Sequence, residues 1–127
     1  MVSQKPGVLI VDDDAAVCDL LCEELGERGY RCGTAGDGGE ALTKLSTGDF
    51  EVVLLDIRLP VMSGMEVLRK MSARSSHITI IMLTALNDVD LAVESLKLGA
   101  WDYIVKPFAL DRLRASVQSA LEGKNAG

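Results

Sequence analysis

Four short apolar runs, separated by stretches of helical period, constrain this chain most: Val8-Leu9-Ile10-Val11, Val52-Val53-Leu54-Leu55, Ile78 to Leu83, and Tyr103-Ile104-Val105. Each is short and continuous rather than alternating, as a strand covered on both faces should be. Arg31 to Ala35 reads as a weaker strand between the first two. Elsewhere apolar residues recur at helical spacing. Val17, Leu20, Leu21 and Leu25 mark a helix ending near Gly29, and Glu40 to Leu45 a short one closed by Gly48. Ser63 can cap a helix through Met65, Leu68 and Met71, and Asn87 one holding Val89, Val93 and Leu96 and ending at Gly99. Leu110, Leu113, Val117 and Leu121 mark the last helix, after which Gly123 to Gly127 reads as a free tail or the start of a linker. Five strands alternating with five helices through short connections predict right-handed βαβ units and a parallel α/β sheet.

A length of 127 residues suits a single domain, with its core at about residues 7–122. The net charge of −6, with no basic run or basic-aromatic patch, argues against direct nucleic-acid binding by this domain. Residues 1–7 lack the apolar run of a signal peptide, and no stretch approaches the roughly 20 apolar residues of a membrane span. The expectation is a cytoplasmic protein without membrane contact. Cys18 and Cys22 share a helical face with Leu21 and Leu25 and read as core thiols; no second Cys/His pair completes a soft-ligand set. His77, the lone histidine, stands beside Ser75 and Ser76 and reads as a loop residue. Gly36-Asp37-Gly38-Gly39 lacks dinucleotide-binding spacing and reads as a flexible loop.

The acids become informative when placed against the strands. The first run ends in Asp12-Asp13-Asp14, the third strand in Asp56, the fourth in Thr84-Ala85 and the fifth in Lys106-Pro107. In an open parallel sheet these ends share one edge, where such folds place their sites. Asp14 reads best as the cap of the first helix. The other three carboxylates repel one another unless a cation intervenes, and a hard divalent ion such as Mg²⁺ suits a few carboxylates plus water. Carboxylates can form aspartyl-phosphates, and Lys106 and the Thr84 hydroxyl could stabilise phosphoryl oxygens. The spacing suggests Mg²⁺-dependent phosphoryl transfer to an aspartate.

The segments VLIVDDD (8–14), VVLLDIRLPVMSGMEVL (52–68), IIMLTA (80–85) and GAWDYIVKPF (99–108), in this order, resemble the response-regulator receiver domain of two-component signalling over residues 7–122. The resemblance implies a flavodoxin-like, doubly wound (βα)5 fold with strand order 2-1-3-4-5. It implies that Asp56 is the phosphoacceptor and that Asp12, Asp13, Asp56 and the Arg58 backbone carbonyl bind Mg²⁺. Lys106, Thr84 and Ala85 would contact the phosphoryl group, Thr84 and Tyr103 would form the switch, and Lys106-Pro107 would be a cis peptide. The phosphodonor would be a histidine kinase or phosphotransfer protein. The responding surface would span residues 87–121, which could also support a homodimer. Such a domain regulates; it catalyses only its own phosphotransfer and dephosphorylation. The rival reading is an aspartate-nucleophile phosphatase of the haloacid-dehalogenase type, with Asp12 and Asp14 as a D-x-D pair. It leaves Asp56 without a role. A flavin-binding flavodoxin is disfavoured because Asp12 to Asp14 would repel the FMN phosphate.

Overall fold

The computed structural model describes residues 5–74 and 77–126, so Ser75 and Ser76 lie outside it. Its elements are β1 (Gly7–Val11), α1 (Ala15–Glu27), β2 (Arg31–Ala35), α2 (Gly38–Thr47), β3 (Val52–Asp56) and α3 (Gly64–Ala73). They continue as β4 (Thr79–Ala85), a 3₁₀ turn (Leu86–Asp88), α4 (Val89–Lys97), β5 (Asp102–Lys106) and α5 (Leu110–Ala126). The strands form one parallel sheet of order β2-β1-β3-β4-β5. This is the doubly wound arrangement expected from the sequence.

The continuous apolar runs are explained by a core on each face of the sheet, because successive strand side chains point to opposite sides. Leu9, Val11, Val53, Leu55 and Met82 pack with Ala41, Leu45, Val67, Leu68, Met71 and Ala92, from α2, α3 and α4. Val8, Ile10, Val52, Leu54, Ile81 and Leu83 pack with Leu21, Leu25, Leu113, Val117 and Ala120, from α1 and α5. Every residue of β1 and β3 is buried, whereas edge strand β2 buries only Ala35, which is why its sequence signal is weak. Cys18 is buried in the second core, and Cys22 and Cys32 are half-buried against it. Burial pushes the Cys18 thiol up to about 11 and Cys32 to about 12, so these thiols are poor nucleophiles and poor metal ligands at neutral pH.

Side-chain caps fix three helix starts. Asp14 accepts from the Ala16 N–H at 2.9 Å, and Ser63 from the Glu66 N–H at 3.2 Å, both in the expected roles. The glycine-rich segment read as a flexible loop is instead a reciprocal cap. Asp37 accepts from the Glu40 N–H at 2.7 Å while Glu40 accepts from the Gly36 N–H at 2.8 Å, so α2 begins at Gly38. Asn87 does not cap α4; a 3₁₀ turn precedes it, and Asp88 at the cap position makes no side-chain cap bond. The supposed tail is helical as far as Ala126. Gly123 lies against Trp101, where a Cβ would come within 2.7 Å of the ring.

The loop after β3 closes tightly on the strand. The Gly64 N–H donates to the Ile57 carbonyl at 2.9 Å, and a Cβ on Gly64 would sit 2.1 Å from the Asp56 carbonyl oxygen. Neither backbone can yield without moving the other. Gly64→Ala should therefore lower the urea midpoint by the equivalent of about 1–3 kcal/mol, the usual cost of overpacking, and shift the Asp56 amide resonance. A wild-type midpoint would show that this approach is not tight in solution.

Candidate functional site

The strand ends reach further than the apolar runs suggest. Asp56 is the last residue of β3, Thr84 and Ala85 complete β4, and Lys106 completes β5. Register then sets them side by side: Asp56 opposite Leu83, Thr84 opposite Val105, and Ala85 opposite Lys106. Asp12 and Asp13 follow β1, which pairs directly with β3. Here the sheet order reverses, the position at which open α/β sheets form a crevice.

Carboxylate oxygens of Asp12, Asp13 and Asp56 lie within 4.8 Å of one another. Asp12 and Asp56 are buried, and Asp13 is exposed at the mouth. The Lys106 ammonium bridges the two buried acids, donating to Asp12 Oδ2 at 2.5 Å and Asp56 Oδ2 at 3.0 Å. The remaining oxygens are held by backbone. Asp12 Oδ1 accepts from the Asp14 N–H at 2.9 Å, and Asp56 Oδ1 from the Arg58 N–H at 3.0 Å.

Burial pushes the Asp56 carboxyl above its ordinary value, and the neighbouring Asp12 charge adds to this; Lys106 and the Arg58 N–H oppose it without cancelling it. Burial also disfavours the Lys106 charge, but two carboxylates outweigh it and raise its pKa. The two directions are compatible because one ammonium is shared: Lys106 gains from both acids, while each acid has only part of Lys106. Three hard oxygen donors around an excess of negative charge fit a divalent cation such as Mg²⁺.

The other expected residues are near this cluster but not all engaged with it. Thr84 is fully buried, and its hydroxyl donates to the Ala85 carbonyl at 3.0 Å. Tyr103 is half-buried against the core of the α2, α3 and α4 face. It shares that face with Thr84, since both point to the side of Met82. The Lys106-Pro107 peptide is cis. Asp14 is occupied in capping α1, which leaves the D-x-D phosphatase reading without its second acid. His77 is exposed at the start of the segment leading to β4, on the other edge of the sheet.

One contact was not foreseen. The Arg58 guanidinium crosses to the β4–α4 turn and donates twice to Asp88, from Nε at 2.8 Å and Nη2 at 2.7 Å. Sequence gave no signal for this pair, whose members are 30 residues apart in different loops.

Residues 8–118 match the profile of the response regulator receiver domain. The chain belongs to the response-regulator receiver family. It is 39% identical over 121 residues to the transcriptional regulatory protein ZraR of Klebsiella oxytoca, covering 95% of this chain and 27% of that protein. It is 38% identical over 120 residues to the transcriptional regulatory protein FixJ of Bradyrhizobium diazoefficiens, covering 94% of this chain and 58% of that one. The chain thus spans about a quarter of ZraR and somewhat over half of FixJ. Among solved structures, a CheY-like receiver domain protein from Methanospirillum hungatei superimposes with a TM-score of 0.91 at 33% identity, covering 97% of this chain and 98% of that one. Full-length FixJ from B. japonicum gives 0.90 at 38% identity, covering 96% and 60%. This receiver domain is a phosphorylation-dependent regulatory switch, and the phosphatase reading finds no support.

The electrostatics carry a pH signature. Asp56 binds its proton more tightly folded than unfolded, so ionising it weakens the fold as pH rises above the ordinary carboxylate value of 3.8. Asp56→Asn removes that penalty, while Lys106 retains Asp12. In chelator, the variant's stability relative to wild type should rise with pH across this window and level off once Asp56 is ionised. Urea midpoints measured in parallel check this; a flat difference would mean that Asp56 is not strained by its burial.

Proposed function

We propose that Asp56 accepts a phosphoryl group from a histidine kinase or phosphotransfer protein. The donor imidazole carries a proton on its other ring nitrogen; its phosphorus–nitrogen bond breaks as the phosphorus–oxygen bond to Asp56 forms, the electron pair returns to the ring and a neutral imidazole leaves. Asp12, Asp13, Asp56 and the Arg58 backbone carbonyl would hold Mg²⁺. When bound, that ion offsets the charge brought by the incoming phosphoryl oxygens. The observation that carries this reading is the Lys106 ammonium seated between Asp12 and Asp56. A cation so placed can leave Asp12 to the metal and pair with a phosphoryl oxygen on Asp56.

The switch follows from the same residues. The Thr84 hydroxyl exchanges the Ala85 carbonyl for a phosphoryl oxygen, and the exposed Ala85 offers its N–H beside it. Tyr103, on the same face of the sheet, turns inward as Thr84 shifts. New phosphoryl contacts thereby bias an existing equilibrium between two arrangements of α4, β5 and α5. That surface already exposes Val93, Leu96 and Trp101, each more than 40% accessible. Homodimerisation through residues 87–121 is the simplest output, in keeping with relatives named as transcriptional regulators. We place the domain in the cytoplasm, where its donors are; no helix among the described residues is long and apolar enough to cross a membrane.

Incubation with a small acyl-phosphate donor and Mg²⁺ should place the label on Asp56. Uptake at the wild-type rate by Asp56→Asn would overturn the assignment. Asp13→Ala should lose Mg²⁺ affinity and phosphorylation together, as followed by NMR titration and mass. At about 100 times its dissociation constant, Mg²⁺ should stabilise the wild type by about 2.7 kcal/mol and that variant hardly at all. Tyr103→Ala should still be phosphorylated but lose the phosphorylation-dependent shift in size on gel filtration. Failure to take up phosphate would instead place Tyr103 in support of the site.

A further inference from the structure

The Arg58–Asp88 pair is unusual in three ways. It links the residue whose N–H holds the Asp56 carboxylate to the first residue of the α4 start. Its members differ in exposure: the Arg58 side chain is 71% accessible and that of Asp88 only 9%. It also occupies a carboxylate that sits at a helix cap position without capping, whereas Asp14, Asp37 and Ser63 all cap their helices. The guanidinium holds the Asp88 carboxyl below its ordinary range, as expected of a persistent ion pair.

An exposed guanidinium adds little to stability. What it can do is choose between anions. Arg58 begins at an N–H 3.0 Å from Asp56 Oδ1, so a phosphoryl group on Asp56 would come within reach of its long side chain. A phosphoryl dianion binds a guanidinium fork more strongly than one carboxylate does. Asp88 then loses the guanidinium that pairs with it, and its carboxylate turns to water or to a nearby backbone donor. The Val89 N–H already donates to the Leu86 carbonyl of the 3₁₀ turn, so the donors closest in sequence for a cap are the next N–H groups of the first turn of α4.

We propose that Asp88 is a positioning residue acting through Arg58: it holds the guanidinium off the phosphorylation pocket at rest, and when a phosphoryl group on Asp56 captures that guanidinium, the freed Asp88 carboxylate caps α4. The inference rests on the reading of Asp56 as phosphoacceptor. It supplies a second route from the site to α4, independent of Thr84 and Tyr103, and it strengthens α4 on phosphorylation.

The test is hydrogen exchange at the amides of residues 89–92, in the resting protein and after acyl-phosphate treatment. Phosphorylation of the wild type should slow exchange there about fivefold, the factor that a cap of about 1 kcal/mol supplies. Arg58→Ala should show the slowed exchange already at rest, with no further change on phosphorylation. Asp88→Asn should behave likewise, because an asparagine caps but offers the guanidinium one neutral acceptor in place of the two-bond ion pair. Asp88→Ala should exchange fast in both states. Equal behaviour of Asp88→Asn and Asp88→Ala at rest, or fast resting exchange in Arg58→Ala, would overturn the proposal. These resting-state arms need no phosphate, so they fail or succeed separately from the assignment of Asp56, which the mass of the treated protein reports.

Discussion

The shared Lys106 ammonium is the interaction on which the rest of this structure depends. Three aspartates with oxygens within 4.8 Å carry −3 between them, and one lysine leaves −2 in a largely buried crevice. Two like charges about 4 Å apart near a protein surface repel by about 4 kcal/mol. Without Lys106, the buried Asp12 and Asp56 carboxylates would face each other with no cation between them. With it, both acids are held in place but under-neutralised, and the deficit is one that a divalent cation matches. The ammonium can hold this position because β5 ends at the same edge as β1 and β3, in a sheet where every strand runs parallel.

Much of this was legible because burial writes itself plainly into sequence. Strands covered on both faces must be apolar throughout, so β1 and β3 were readable, and β2, buried at one residue, barely so. The misplaced boundaries fell where function intrudes. Asp56, Thr84, Ala85 and Lys106 are strand residues with polar or small side chains, so the apolar pattern stops short of them. The start of α2 was hidden for a different reason. Glycines disfavour helix locally, but a Cβ at Gly38 would come within 2.9 Å of Val67 and 3.0 Å of Met62, so tertiary packing demands one there. Asn87 was a reasonable cap by local rules. The position went to Asp88, and its side chain went to Arg58, a partner that no local pattern could reveal.

The β3–α3 loop shows how closely the site is framed. Val61 has a φ of 66°, a backbone conformation costly for a β-branched residue, and the Met62 N–H donates across it to the Pro60 carbonyl at 2.7 Å. The Val61 side chain is fully exposed, so its own packing does not explain the strain. The surrounding closure does. Gly64 must meet Ile57 at one end of a short loop, and the turn at Val61 lets the chain reverse within it.

That closure leaves the helices that follow β3 and β4 with very different holds on the core. α3 buries Gly64, Met65, Val67, Leu68 and Met71, and Ser63 caps it. α4 buries only Ala92 and Ser95 and has no side-chain cap. Coupling between sites in proteins is typically about 1–3 kcal/mol. A perturbation of that size cannot displace α3, where extracting even one large core side chain costs as much. It can displace α4, whose register depends on small residues and an ion pair. Of the helices that follow β3 and β4, packing therefore leaves α4 as the one held loosely enough to respond to a change at the strand ends.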